Sequence, residues 1–322
     1  MKDVRRKIIA AAALTIMLAG CNSEEGLPAG EGVQDVAHFS ATIHAPGTRA
    51  YDQIWEANDE IGISGTSGDA AYTNVCYLTA DGSGSFNPKD ESGKIYYQTD
   101  DEVTFTAYYP WKELQGGATT ITADTWGQKE QKKFDFLWAQ ADGQKKVNGG
   151  KVNFEFAHKM AKVVLTVKCG DDVSYEEVKT AVLMLEGFKH GGSFNVTTGA
   201  AEATGNESAM WEFANNANEE VYNAPFKRDD EKQTVSYTLI FFPQVFDAAL
   251  PFTATLPGEQ SFTANLDFKN ANAEKDKEQA KNEWVAGRQY NMGVVLNKTG
   301  IAVEGCTIAP WEEVPGGDFS AE

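Results

Sequence analysis

The sequence predicts an all-β protein, with an antiparallel sandwich or barrel in each half of the chain. Three observations predict it. Apolar and polar residues alternate over short runs, as in Val152, Phe154 and Phe156 against Lys151, Asn153 and Glu155, the period-2 pattern of a half-buried strand. Gly, Asp, Asn and Ser fill the gaps between such runs, in DGSGS at 81–85, QGG at 115–117 and NGG at 148–150, which is turn chemistry. Helical composition is confined to one polar stretch, Ala271–Trp284, which reads equally as a solvated loop.

Residues 1–20 stand apart. Lys2, Arg5, Arg6 and Lys7 precede an apolar run from Ile8 to Ala19. That run is too short to span a bilayer as a permanent helix and reads as an export signal. It closes on Leu18-Ala19-Gly20-Cys21, which resembles a bacterial lipobox. In such signals the chain is cut before the cysteine, and Cys21 then carries the lipid. The alternative is an ordinary signal peptide with an incidental cysteine. Several acyl chains, at about 0.8 kcal/mol per buried CH2, hold a protein on a membrane durably. Asn22-Ser23-Glu24-Glu25 resembles the acidic segment that sends lipoproteins to the cell surface in Bacteroidales-type bacteria. Residues 21–35 are rich in Gly, Glu and Pro and read as a flexible tether.

The net charge is −19. Residues 1–20 hold four of the basic groups and Asp3, so the remainder has 24 basic and 46 acidic groups, a net of −22. Binding to a nucleic-acid backbone needs clustered Lys and Arg, so nucleic acid is not an expected partner. An acidic balance of this size suits a solvated surface protein. Past Cys21 the cysteines are Cys76, Cys169 and Cys306. Their odd number and lack of CxxC spacing read as small buried hydrophobes rather than disulfides or metal ligands.

In chain order, the first strand is Val36 to His44, with Ala37, Phe39, Ala41 and Ile43 on one face. Ala45-Pro46-Gly47 ends it, because Pro and Gly do not continue a strand interior. Ile54–Ser64 is the next element, and strands follow at Asn74–Thr79, Lys94–Gln98, Val103–Tyr109, Thr119–Thr122 and Phe134–Ala139. Lys151–Lys168 reads as two strands with a tight connection at 157–160, both contributing to one core. In the second of them Ala161, Val163, Leu165 and Val167 share the apolar face, with Lys162 and Lys168 on the other. A chain of 322 residues can hold two domains with real cores. Gly170-Asp171-Asp172 marks the expected boundary between domains 36–170 and 171–322. Beyond it, strands are predicted at Val178–Leu185, Ser193–Thr197, Ala209–Phe213, Val235–Phe242, Phe252–Leu256, Ser261–Phe268, Gln289–Leu296 and Ile301–Ile308.

Several runs carry a family resemblance. They are TRAYDQIWEANDEIGIS at 48–64, VTFTAYYP at 103–110, DFLWA at 135–139, VNFEFAHKMAKVVLTV at 152–167, VAGRQYNMGV at 285–294, Ile301-Ala302-Val303, and TIAPW at 307–311. In this order they resemble the fimbrillin-like family of Bacteroidales-type pilins. The resemblance implies two tandem transthyretin-like β-sandwiches, export as a lipoprotein, and assembly into surface fimbriae. The implied partners are other fimbrial subunits, through strand insertion, and the outer membrane, through lipid on Cys21. No cofactor is implied. In several family members a trypsin-like protease cuts after an arginine behind the first strand, and a strand of another subunit fills the groove left behind. Arg49, followed by Ala50, stands at the matching place. The alternative is an ordinary loop arginine in an anchor or tip subunit that keeps its lipid. Stalk, tip and anchor roles all stay open.

Assembly of this kind needs no catalytic group. A strand missing from a sheet leaves unpaired N–H and C=O groups along an apolar slot. An incoming strand satisfies them while its alternate side chains fill pockets. Two segments are candidate donors: the 36–44 strand in the uncut protein, and the C-terminal run Gly300–Pro310. In the latter, Ile301, Val303, Gly305 and Thr307 face one way and Ala302, Glu304, Cys306 and Ile308 the other. That run reads better as the last strand of its own domain.

No enzyme signature is legible. The histidines at 38, 44, 158 and 190 have no zinc spacing, and there is no G-x-S-x-G, Walker loop or strand-borne GxGxxG. His158, at the link between apolar strands, reads as a hydrogen-bonded structural residue. The acidic loops 100–102 and 229–231 lack the alternating ligand pattern of a calcium loop and read as solvated. The rival function is a non-polymerising cell-surface glycan-binding lipoprotein; a host or bacterial surface glycan or protein is a further candidate partner. Its candidate sugar-stacking residues are Trp111, after Tyr108-Tyr109-Pro110, and Trp126, in the polar stretch 122–133. Tryptophan also packs onto core edges.

Overall fold

A computed structural model describes residues 35–43, 55–215 and 224–311. Cys21, Arg49 and Ala50 lie outside the described residues. The first half is built from β1 (His38–Ile43), β2 (Asp59–Ser67), β3 (Ala70–Thr79), β4 (Ser85–Pro88), β5 (Val103–Tyr109), β6 (Thr120–Asp124), β7 (Leu137–Gly143) and β8 (Lys151–His158). All but β6 form a closed barrel in the order β8-β1-β4-β3-β2-β5-β7, with β7 paired back to β8. The strand pattern allows a sandwich or a barrel, and only the family resemblance implies a sandwich for this half. Short alternating strands with glycine-rich turns serve both architectures, so the local pattern does not separate them. Phe39, Ile61, Ile63, Tyr77, Phe105, Val152, Phe154 and Phe156 form the buried interior.

The second half contains β9 (Ala161–Cys169), β10 (Val182–Leu185), β11 (Gly191–Asn195), β12 (Ala201–Ala203), β13 (Trp211–Ala214), β14 (Phe226–Asp229), β15 (Thr234–Phe241), β16 (Leu250–Leu256), β17 (Gln260–Leu266), β18 (Arg288–Asn297) and β19 (Gly300–Pro310). One sheet runs β14-β15-β9-β18-β19 and another β13-β10-β16-β17. One core takes residues from both: Leu165, Leu239 and Met292 from the first, Leu183, Phe252 and Trp211 from the second. The described residues form one compact unit.

The junction differs from the two-strand hairpin expected at 151–168. β8 pairs with β1 and β7 in the barrel, whereas β9 pairs antiparallel with β15 and parallel with β18. The two strands therefore serve different cores, and sheet membership changes between His158 and Ala161. The link Lys159–Met160 lacks the Gly or Asn that a two-residue hairpin turn demands. Its backbone instead bonds outward, Lys159 N–H to Phe136 O at 2.8 Å and Met160 O to Gly287 N–H at 2.8 Å. Lys162, on the face opposite Ala161 and Val163, is buried at this junction as well.

A third core joins the halves. Tyr108, Ile121, Phe134 and Phe136 pack with Met160, Phe194, Ile240, Phe242 and Trp311, and β6 completes a small sheet with β11 and β12. Gln128, fully buried, accepts from Ile240 N–H at 2.8 Å and donates to Ile240 O at 2.9 Å. Its side-chain amide thus stands in for a neighbouring strand along β15.

Helix is minor. α1 (Tyr175–Thr180) opens on a capping box, with Ser174 and Glu177 bonding each other's backbone N–H. It takes the start of the strand predicted from Val178. α2 (Lys269–Lys275) occupies the early part of the helical candidate, which continues as a short 3-10 turn and a strand pair. Among the described residues no helix is long and apolar enough to cross a membrane.

Candidate functional site

The most specific site in the first half is the slot that β1 fills. β1 runs parallel to β8 over six residue pairs, from Lys151 with His38 to Phe156 with Ile43. On its other side it pairs with β4 at Phe39–Phe86 and Ser40–Ser85. Ala37 N–H donates to Ile95 O at 2.9 Å and Ala41 N–H to Gly84 O at 2.8 Å. The expected face of Ala37, Phe39, Ala41 and Ile43 does turn inward. The Phe39 ring meets Tyr77 edge-on at 5.1 Å and Phe105 edge-on at 5.2 Å, and stacks on Phe154 at 5.8 Å. On the outer face Ser40 Oγ donates to Asn153 Oδ1.

The turn at 81–85 is shaped to this strand. Gly84 has φ +80, and a Cβ there would stand 2.4 Å from Ala41 O. Only glycine takes that conformation and that approach together. Trp55, the first described residue after Arg49, is buried and meets Phe86, Tyr109 and Phe156 at 5.1–5.5 Å. Its Nε1–H donates to Ala41 O at 2.9 Å.

Polar groups around the slot are buried but engaged. Tyr77 OH accepts from Ile95 N–H at 3.0 Å, and burial pushes its phenol up to about 12. Tyr109 OH donates to Asp59 Oδ1 at 3.1 Å. Burial raises both the Tyr109 phenol and the Asp59 carboxyl. These groups hold the barrel wall; none is a nucleophile or base poised over an open space.

The second candidate donor, β19, is the edge of its sheet and is paired to β18 along its length. Its strict alternation is broken. Gly293 opposes Gly305 and Val294 opposes Val303, leaving Glu304 as an extra residue. This bulge shifts the phase, so Ile301 packs on the core before it and Cys306 and Ile308 after it. Glu304 reaches over Gly293 to Lys168 Nζ at 2.7 Å. Beyond β19, Trp311 stacks on His158 at 4.0 Å, and His158 Nδ1 lies 3.0 Å from Asp135 Oδ1. His158 is thus the hydrogen-bonded structural residue expected.

The two tryptophans proposed for sugar stacking have different neighbours. Trp111 is half-buried; its Nε1–H donates to Asn74 O at 3.3 Å, and the Lys89 ammonium lies 5.2 Å from its ring centre. Trp126 is 36% exposed and packs against His190 at 4.8 Å and Trp211 at 6.4 Å. Cys76, Cys169 and Cys306 are free and half-buried. Burial pushes the Cys76 and Cys306 thiols up to about 12. In the acidic loops, Asp100 pairs with Lys146 and Asp229 with Lys232. Among the described residues no three His, Cys, Asp or Glu side chains are grouped to hold a metal ion.

The geometry is that of a β-sheet scaffold whose most specific site is made to hold a strand. The sequence profile of the fimbrillin-like family matches residues 48–311, and the chain belongs to that family. It is 28% identical over 320 residues, 97% of each chain, to a Bacteroides uniformis protein named as fimbrium subunit Fim1C. A crystal structure of a Bacteroides uniformis protein, described as a cell adhesion protein, is 27% identical, with TM-score 0.65 over 86% of this chain and 99% of that one. A Bacteroides ovatus protein under the same description shares the fold at 22% identity, with TM-score 0.68 over 88% and 100% of the two chains.

Proposed function

We propose that this chain is a subunit of a surface fimbrium, exported as a lipoprotein through Cys21 and assembled by strand exchange at the β1 slot. The observation that carries the reading is the position of β1. It is an N-terminal strand inside a closed barrel, followed in the sequence by the segment 44–54 that contains Arg49. Its loss would open β8 along six residue positions and vacate the pocket between Tyr77, Phe105 and Phe154. The row from Ala37 to Ile43 is worth several kcal/mol at ~25 cal/mol per Å² before ordering costs. The relatives described as fimbrial and adhesion proteins support the reading, as does the absence of any poised reactive group at the slot.

The experiment is controlled cutting. Treatment with a trypsin-like protease converts the monomer into a form that polymerises, and Arg49→Ala stays monomeric, read by size-exclusion chromatography. Polymerisation of Arg49→Ala at the wild-type rate rules the processing step out. Fatty-acid labelling of the precursor is lost in Cys21→Ala; a native protein without lipid at any stage removes the anchor from the scheme. For the rival glycan reading the exposed indole of Trp126 is the residue to change, on a glycan array.

A further inference from the structure

A small cleft away from the β1 slot is bordered by β6, by Lys112 and by the 3-10 turn Gln128–Lys133. Its volume is about 290 Å³, at the low end of the range for small-molecule sites. Four consecutive residues of β6, from Ile121 to Asp124, line it. Side chains alternate between the two faces of a strand, so four in a row reach one cleft only where the edge of the strand borders it. β6 pairs with β11 and is the outer strand of its sheet. Its other edge therefore offers backbone N–H and C=O groups to the cleft.

The walls are fixed in place. Lys112 N–H donates to Tyr108 OH at 3.2 Å, and Lys112 O accepts from Asn74 Nδ2 at 2.8 Å. The 3-10 turn is held by the bonds of Gln128 to Ile240. Ile121 and Phe134, both buried in the core that joins the halves, supply the apolar part of the lining. Lys133 is paired with Glu130. Lys112 and Asp124 add one charge of each sign, so the charges of the lining sum to zero.

That lining selects a class of ligand. A phosphate, sulfate or uronate calls for an excess of cations, and this cleft has none. A wholly apolar molecule would displace water from Lys112, Asp124, the Thr122 hydroxyl and the edge of β6 without replacing its hydrogen bonds. A neutral pyranose meets both demands. Its hydroxyls donate and accept at once, and its C–H face is apolar like Ile121 and Phe134. At the rim, Trp126 N–H donates to Asp124 Oδ1 at 2.7 Å, and its side chain is 36% exposed. An indole in that place is a platform for a neighbouring ring. We propose that the cleft binds one residue of an uncharged glycan, with Trp126 carrying the next. The inference rests on the glycan reading above, to which it gives a site and a sugar class. It does not depend on strand exchange, which uses other residues.

The test titrates the uncut, isotope-labelled chain beyond residue 21 and follows its amide spectrum. The probes are methyl glycosides and disaccharides of glucose, galactose, mannose and N-acetylglucosamine, digalacturonate, and a capped Thr/Val pentapeptide. At least one neutral sugar shifts the amides of Thr122, Ala123 and Gly127, with a Kd of about 1 mM. Lys112→Met keeps the aliphatic stem, removes the charged donor and weakens binding about tenfold or more. Trp126→Ala weakens the disaccharide and leaves the methyl glycoside unchanged. Unaltered amides away from the cleft show that both variants are folded. Tighter binding of digalacturonate than of every neutral sugar overturns the class assigned. Shifts produced by the pentapeptide alone make the β6 edge a protein-binding edge and overturn the inference. No shift with any probe at tens of millimolar removes the site. None of these results bears on whether the cut protein polymerises, so strand exchange is judged separately.

Discussion

The indole N–H of Trp55 donates to the carbonyl oxygen of Ala41 at 2.9 Å. Trp55, which follows Arg49 in the sequence, is thereby bonded to β1, which precedes Arg49, and both bonded groups are buried in the barrel. Release of β1 then has to overcome its ladder on β8, the Phe39 pocket and this bond.

Trp55→Phe separates the bond from the packing. The ring still meets Phe86 and Phe156, but Ala41 O loses its indole partner in a buried place. A loss of about 1–2 kcal/mol is expected, measured by urea unfolding of the uncut protein. An unchanged midpoint would show that the bond contributes nothing.

Gly84→Ala attacks the same strand from the other side. The new Cβ meets Ala41 O in a backbone conformation that L side chains avoid. Destabilisation of about 1–3 kcal/mol follows from strain of this kind. Faster loss of the N-terminal fragment after cutting is the accompanying sign, whereas Gly116→Ala, at a positive φ but with open space around it, leaves that rate unchanged.

His190 gives the fold an acid sensitivity. Burial holds its imidazole down at about 4, against an ordinary 6.5, with Asp124 and the Thr125 backbone opposing the shift. Between those values the unfolded chain takes up the proton and the folded chain does not. The contribution is therefore fully present above pH 6.5 and is lost as pH falls toward 4, by about 3 kcal/mol at most. Thermal melts from pH 7.5 to 4.5 should fall more steeply in the wild type than in His190→Phe. Parallel curves would contradict the assignment.

Gln128 is one of the polar links between the halves. Gln128→Leu leaves Ile240 N–H and O unpaired at a buried edge, which costs about 1–3 kcal/mol for such a group. Native-state hydrogen exchange at Ile240 should rise above the global unfolding level, and limited proteolysis should begin to separate the halves. Protection at Ile240 equal to wild type would remove Gln128 from the joint.

Much of the strand content was legible because alternation is imposed by backbone geometry. The inward rows Ala37–Phe39–Ala41, Val152–Phe154–Phe156 and Ala161–Val163–Leu165–Val167 all point where their period-2 pattern says. α1, by contrast, takes the start of the strand predicted from Val178, with Ser174 and Glu177 forming the capping box at its first turn. His158 read correctly because a polar group between apolar strands needs a partner, and Asp135 supplies it.

Pairing was a different matter. Nothing local in Ser40 says that its neighbour is Asn153, 113 residues away, or that β8 and β9 part company across Lys159–Met160. The bulge at Glu304, the burial of Lys162 and the closure of the barrel are likewise absent from any short window. Alternation is a property of one strand, set by its own peptide geometry. Partner, register and closure are chosen by how completely all the apolar faces can be buried at once, and that balance exists only when the whole chain is assembled.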